Sequence, residues 1–174
     1  MDHKLREYEA LRETIRQRGT IRMALVPAIF IGWAATAVAT GAVITVAVST
    51  LVPLLILVAG FEAIFALHMN VERIGRYLQV FHEQGGGWEN VAAAYGQRFP
   101  GSGLPDPLFA QIFVCAISVN FLPVVLGYEY AVELVIVLVP HLIAVYRVRM
   151  GRGASARQRT EDLERFTTLR NAQP

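Results

Sequence analysis

Between Met23 and Leu67 the chain carries one charged residue, Glu62, in 45 positions. At about 20 residues per crossing, a stretch of that length spans a bilayer twice with a short turn between. Pro27 falls in the first turns of the first span, where it is tolerated. Gly32, Thr36 and Thr40 recur at four-residue steps beside Ala35 and Ala39, a small-residue face suited to close helix packing. The turn between the two spans is expected within 41–49. Thr40-Gly41 is one candidate, and Ser49-Thr50 ahead of Pro53 is the other. Ala35-Thr36-Ala37 resembles a signal-peptidase site. The segment before it is too long and too acidic, with Asp2, Glu7, Glu9 and Glu13, so it is expected to be retained.

Two further apolar runs follow. Leu108–Leu126 holds Cys115, Ser118, Asn120 and Pro123, and Ala131–Tyr146 holds Glu133, Pro140 and His141. Hydrophobic residues reach 54% and mean hydropathy +0.41, above the 45–50% of soluble domains, and these runs carry the excess. The expected fold is an all-α integral membrane protein, a four-span antiparallel helix bundle with cytoplasmic helical extensions at both ends. Residues 1–22 form an amphipathic helix with Leu5, Tyr8, Leu11 and Ile15 on one face and a stop at Gly19-Thr20. The membrane domain covers 23–149 with a cytoplasmic loop at about 83–107. A charged tail covers 150–174, set off by a GRGAS linker and striped by Leu163, Phe166 and Leu169.

Charge fixes the expected direction. Of 16 basic residues, six precede Met23, three lie between His68 and Pro107, and seven follow Tyr146. Neither proposed outer turn holds one. The positive-inside rule then places both termini and the loop in the cytoplasm of a bacterial-type inner membrane. Glu129 is the one charge expected outside.

The second span runs without a break signal from Leu51 into HMNVERIGRYLQVFHE, striped by Val71, Ile74, Leu78 and Phe81 and stopped at Gly85-Gly86-Gly87. Trp88–Phe99 predicts a short helix at the headgroup layer, with Trp88 and Tyr95 as interfacial aromatics. PGSGLPDP re-enters the membrane and matches no phosphate-loop pattern.

Intramembrane polar and ionisable groups are expensive, so each marks a candidate site. Glu62, His141, Glu133 and Asn120 are the four. At about 1.5 Å of rise per residue, an outer turn near residue 48 puts Glu62 and His141 at one level. Asn120 and Glu133 share another, where the amide could donate to the acid. A Glu62–His141 pair would serve as a structural tie, as a proton-coupled site, or as part of a metal or haem ligand set. His68 and Glu72 are four apart, but no ExxH or HExxH pattern accompanies them. Arg73 and Arg76 are read as headgroup anchors, with Glu72–Arg76 an i,i+4 pair. Cys115 excludes an intrachain disulfide and is expected to be buried and inert.

The leading expectation is a non-enzymatic accessory or scaffold subunit that presents a cytoplasmic interaction surface. A small proton-coupled transporter using Glu62 and His141 is the alternative, and a membrane enzyme acting on a lipid or quinone is the second. The expected partners are membrane lipids and further copies or a larger membrane complex. No cofactor, metal or nucleic acid is expected.

Overall fold

In a computed structural model of the protein, residues 2–43, 46–83, 86–99, 106–127 and 131–172 are described. Among them every regular element is helical. Helix α1 is Asp2–Val43, α2 is Leu51–Phe81, α3 is Trp88–Arg98, α4 is Ala110–Gly127 and α5 is Ala131–Asn171. A 3-10 turn, Ala47–Thr50, leads directly into α2. Four helices are long and apolar enough to cross a membrane: α1, the 3-10 turn with α2, α4 and α5.

Three expected or candidate breaks are absent. Gly19 sits inside α1, and the amphipathic segment and first span form one 42-residue helix. A mid-helix glycine costs about 1 kcal/mol, too little to end a helix with strong helix formers on either side. Gly41 is likewise helical, and the connection lies beyond Val43. The GRGAS stretch is also helical, inside the 41 residues of α5. Gly151 has a packing reason to be there. A Cβ at that position would lie 2.9 Å from the Phe61 ring and 3.4 Å from Leu108, so the missing side chain lets α5 approach closely. The expected second outer turn at Gly127-Tyr128, with Glu129, falls mostly outside the described residues. So do Gly85 and most of PGSGLPDP.

The chain divides into two units. The apolar unit takes Met23–Phe65 and Leu108–Arg152. Its core joins Ile29 of α1, Leu57, Phe61 and Ile64 of α2, Phe113 and Ile117 of α4, and Ala144 and Val148 of α5. Phe113 packs against Phe30 and Phe61, with ring centroids 5.2 and 5.5 Å away. The span in α1 is the least enclosed, with Ile31 and Val38 exposed. Cys115 is exposed on α4, contrary to the buried position expected. Much of the apolar run around it is exposed, and its Phe113–Ile117–Asn120–Val124 face is inside.

The polar unit takes Met1–Arg22, Ala66–Pro107 and Gly153–Pro174. Its core is thin in aliphatic residues and rich in rings and ion pairs. Tyr77 and Phe81 of α2 meet Phe166 of α5 edge-on, at 5.7 and 6.3 Å. Arg159 pairs with Glu72 at 2.7 Å, and Arg73 with the buried Asp162 at 3.2 Å.

Candidate functional site

Asn120 is the hub of the apolar unit. It is buried near the middle of α4 and touches three other elements. Its Oδ1 accepts from the Trp33 indole Nε1 of α1 at 3.0 Å. Its Nδ2 donates to the Thr50 carbonyl at 2.9 Å and to His141 Nε2 of α5 at 3.0 Å. His141 Nδ1 bonds the Val137 carbonyl at 2.8 Å. A carbonyl can only accept, so Nδ1 carries the proton and Nε2 is the acceptor. Every donor and acceptor in this chain of bonds is matched with His141 neutral. The Phe121 ring closes the imidazole off, 5.1 Å away.

The 3-10 turn is pinned twice. Thr50 receives the Asn120 amide, and the Ala47 N–H donates to Glu133 at 2.8 Å. Asn120 and Glu133 therefore do not bond each other, as equal depth had suggested. Both bond the backbone of the turn instead. The first N–H groups of a helix have no partner within it, which leaves the Ala47 N–H at the start of the turn open to Glu133. A cavity of ≈ 510 Å³ opens beside the hub, lined by Trp33, Thr40, Ser49, Thr50, Pro53 and Asn120.

The expected Glu62–His141 pair is not formed. Glu62 accepts from Arg147 at 2.7 Å, and both side chains are part-exposed. Helical side chains lean toward the N-terminus of their own helix, so Arg147 reaches back along α5. Its guanidinium lies over Phe65 and Phe61, 4.6 and 5.6 Å from the ring centres. A nearby guanidinium with that reach outcompetes an imidazole already bonded through both nitrogens. Two further partners escaped notice in the sequence. The signal for Trp33 is its indole N–H, which requires an acceptor when enclosed by an apolar run. The signal for Arg147 is its place directly after Tyr146, at the end of the apolar run of α5.

The interfacial reading of α2 also changes. Arg76 is buried, bonding Gln79 at 2.6 Å and pairing with Glu89 at 3.5 Å and Glu72 at 4.0 Å. Arg73 is held by Asp162. Arg76 is an internal tie of the polar unit, reached by acids of α2 and α3, whereas Arg73 pairs with Asp162 of α5 from an exposed position. Trp88 does stand out, 68% exposed at the start of α3, with Tyr95 exposed further along.

His68 and Glu72 do not face a common point. His68 is buried, with Arg22 3.2 Å from Nδ1 and the Ser155 hydroxyl 3.0 Å from Nε2. Arg22 can only donate, so Nε2 carries the proton and the ring is neutral. Burial pushes the imidazole below its ordinary value. Glu72 opposes this, while Arg22 and Arg159 add to the fall. A depressed histidine favours the fold fully above its unfolded value of about 6.5. That contribution is lost as pH falls from there toward the folded value. Thermal melts across a pH series should therefore show the stability of the polar unit dropping on the acid side of about 6.5. His68→Gln should flatten that limb.

A second hollow of ≈ 610 Å³ lies in the polar unit, lined among others by Lys4, Glu7, Tyr77, Phe81, His82 and Phe166. Tyr77 donates to Glu7 at 2.7 Å, and His82 lies 3.6 Å from the same carboxylate. Comparison with protein-family models, curated proteins and solved structures found no match.

Proposed function

We propose that the chain is a non-enzymatic accessory or scaffold subunit of a bacterial-type inner membrane. It crosses the bilayer four times in antiparallel fashion and holds its polar unit in the cytoplasm. The observation that carries this reading is the closed bond network around Asn120. Glu62, Glu133 and His141 of the apolar unit are each engaged, by Arg147, by the Ala47 N–H, and by Asn120 with the Val137 carbonyl. The aromatic hollow formed by Tyr77, Phe81 and Phe166, rimmed by Lys4, Glu7 and His82, is the interaction surface offered to a soluble or membrane-bound partner. Self-association through the exposed face of α1 is part of the same reading.

A proton-coupled transporter is the competing reading, favoured by the cavity that touches the Asn120 network. Reconstitution separates the two. Proteoliposomes loaded with a pH-sensitive dye should relax an imposed proton gradient no faster than empty liposomes. A protein-dependent flux that Glu62→Gln or His141→Gln abolishes would establish the transporter and remove the scaffold.

A further inference from the structure

A groove of ≈ 450 Å³ lies between α4 and α5, lined by Ala110, Gln111, Val114, Cys115, Arg149 and Arg152. One wall carries two guanidiniums and the other a carboxamide, above an apolar floor. Its lining contains no acid. Arg149 is exposed, with no ion pair or hydrogen bond among the described residues. The neighbouring Arg147 is committed to Glu62, and Arg73 and Arg76 are committed inside the polar unit. The groove begins at the first residues of α4 and at the point where the apolar run of α5 gives way to basic residues. In a bilayer that is the inner headgroup level.

We propose that this groove is a binding site for an anionic phospholipid. The phosphate would sit among Gln111, Arg149 and Arg152, and an acyl chain would run along Val114 and Cys115. Guanidinium forks match phosphate oxygens geometrically as well as in charge. Basic pockets between spans on the cytoplasmic side are where anionic headgroups gain most. The headgroup role thus moves from Arg73 and Arg76, which their position in the sequence suggested, to a pair on α5. The proposal rests on the membrane reading above.

Cys115 is the chain's single cysteine and lies in the groove, which makes it a native reporter. The full-length protein is placed in nanodiscs of phosphatidylcholine, with or without phosphatidylglycerol, and labelling of Cys115 by an uncharged maleimide is timed. Phosphatidylglycerol should slow labelling, by about fivefold for each arginine engaged. Arg149→Gln should remove its share of that protection, and Arg149→Lys should restore part of it. Arg157→Gln, which removes one exposed charge elsewhere on α5, should leave it unchanged. A Cys115→Ser/Ser118→Cys protein, labelled on the exposed face outside the groove, should show no lipid dependence. Equal protection by pure phosphatidylcholine would overturn the proposal. So would equal protection by inorganic phosphate in those discs, or protection that survives Arg149→Gln. Failure of the protein to enter nanodiscs would remove the membrane reading and this one with it, whereas the other outcomes remove this one alone.

Discussion

Replacing Asn120 with leucine will destabilise the apolar unit by about 2–4 kcal/mol, from three lost bonds and the groups they leave stranded. The side-chain volume is nearly preserved, so the effect isolates hydrogen bonding from cavity formation. The Trp33 indole N–H, the Thr50 carbonyl and His141 Nε2 each lose their partner at once, and Asn120 and His141 are both buried. Bonds between spans are worth about 0.6 kcal/mol on average and up to about 1.7. Orphaning a buried group costs a further 1–3 kcal/mol or so. Asn120→Asp should be nearly as costly, because a carboxylate keeps the Trp33 bond but cannot donate to Thr50 or His141. Ser118→Ala is the control. Its hydroxyl is exposed and bonds only its own helix, at the Val114 carbonyl 2.9 Å away. Detergent-solubilised protein carrying Trp88→Phe makes Trp33 the sole fluorescent indole. Its melt should shift down on the order of 10 °C in Asn120→Leu. A shift no larger than that of Ser118→Ala would mean that Asn120 is not the hub described here.

Glu83→Ala will have the larger effect on the polar unit, of about 3–5 kcal/mol, the range for breaking one side of a buried ion pair. Glu83 is buried just past the end of α2 and gathers three chain segments. Its carboxylate accepts from Tyr8 of α1 at 3.1 Å, from Arg12 of α1, and from the Glu89 backbone N–H of α3 at 2.7 Å. Its own carbonyl accepts from Asn90 of α3 at 2.5 Å. Glycine at 87 is a condition of this arrangement, since a Cβ there would run into the carboxylate. Removing the side chain leaves Arg12 with the Glu89 carboxylate at 2.8 Å and the Tyr8 hydroxyl at 3.1 Å, and uncaps the start of α3. Glu83→Gln should cost less, because its one amide oxygen still accepts either from Tyr8 and Arg12 or from the Glu89 N–H. Hydrogen exchange resolves the outcome by segment. Glu83→Ala should accelerate α3 and the first turns of α1 while leaving α4 protected. Unchanged exchange in α3 would count against the junction.

The exchange experiment bears on function as well as stability. The aromatic hollow shares Tyr77, Phe81 and His82 with the turn that Glu83 ends. If the hollow is the partner-binding surface, Glu83→Ala should weaken partner recovery while the proton-flux assay stays at the level of empty liposomes. Stability of the polar unit and delivery of a partner-binding face are then one property.

Much of the architecture was legible without coordinates, because it depends on composition along a line. The stretch from Met23 to Leu67 with Glu62 as its one charge, the apolar runs after Leu108 and Ala131, and the absence of proline from Leu54 to Phe81 state which segments are helical and apolar. Helical periodicity also placed Leu78 on the inner face of α2, and position inside apolar runs singled out Asn120 and His141 as groups needing partners. What escaped was pairing. Glu62 chose Arg147 over His141, Asn120 chose Trp33, Thr50 and His141 over Glu133, and Arg76 chose Glu89 over the headgroup layer. A rise of about 1.5 Å per residue places a residue along its helix axis, but it does not say which way the side chain faces or how far a guanidinium can reach. Those depend on helix rotation, and rotation is settled only when Gly151 meets Phe61 and the polar groups of every element are matched together. The sequence therefore determined which segments are helical and where each charge lies along them. The tertiary structure decided which buried groups satisfy one another and which, like Arg149, remain open to a ligand.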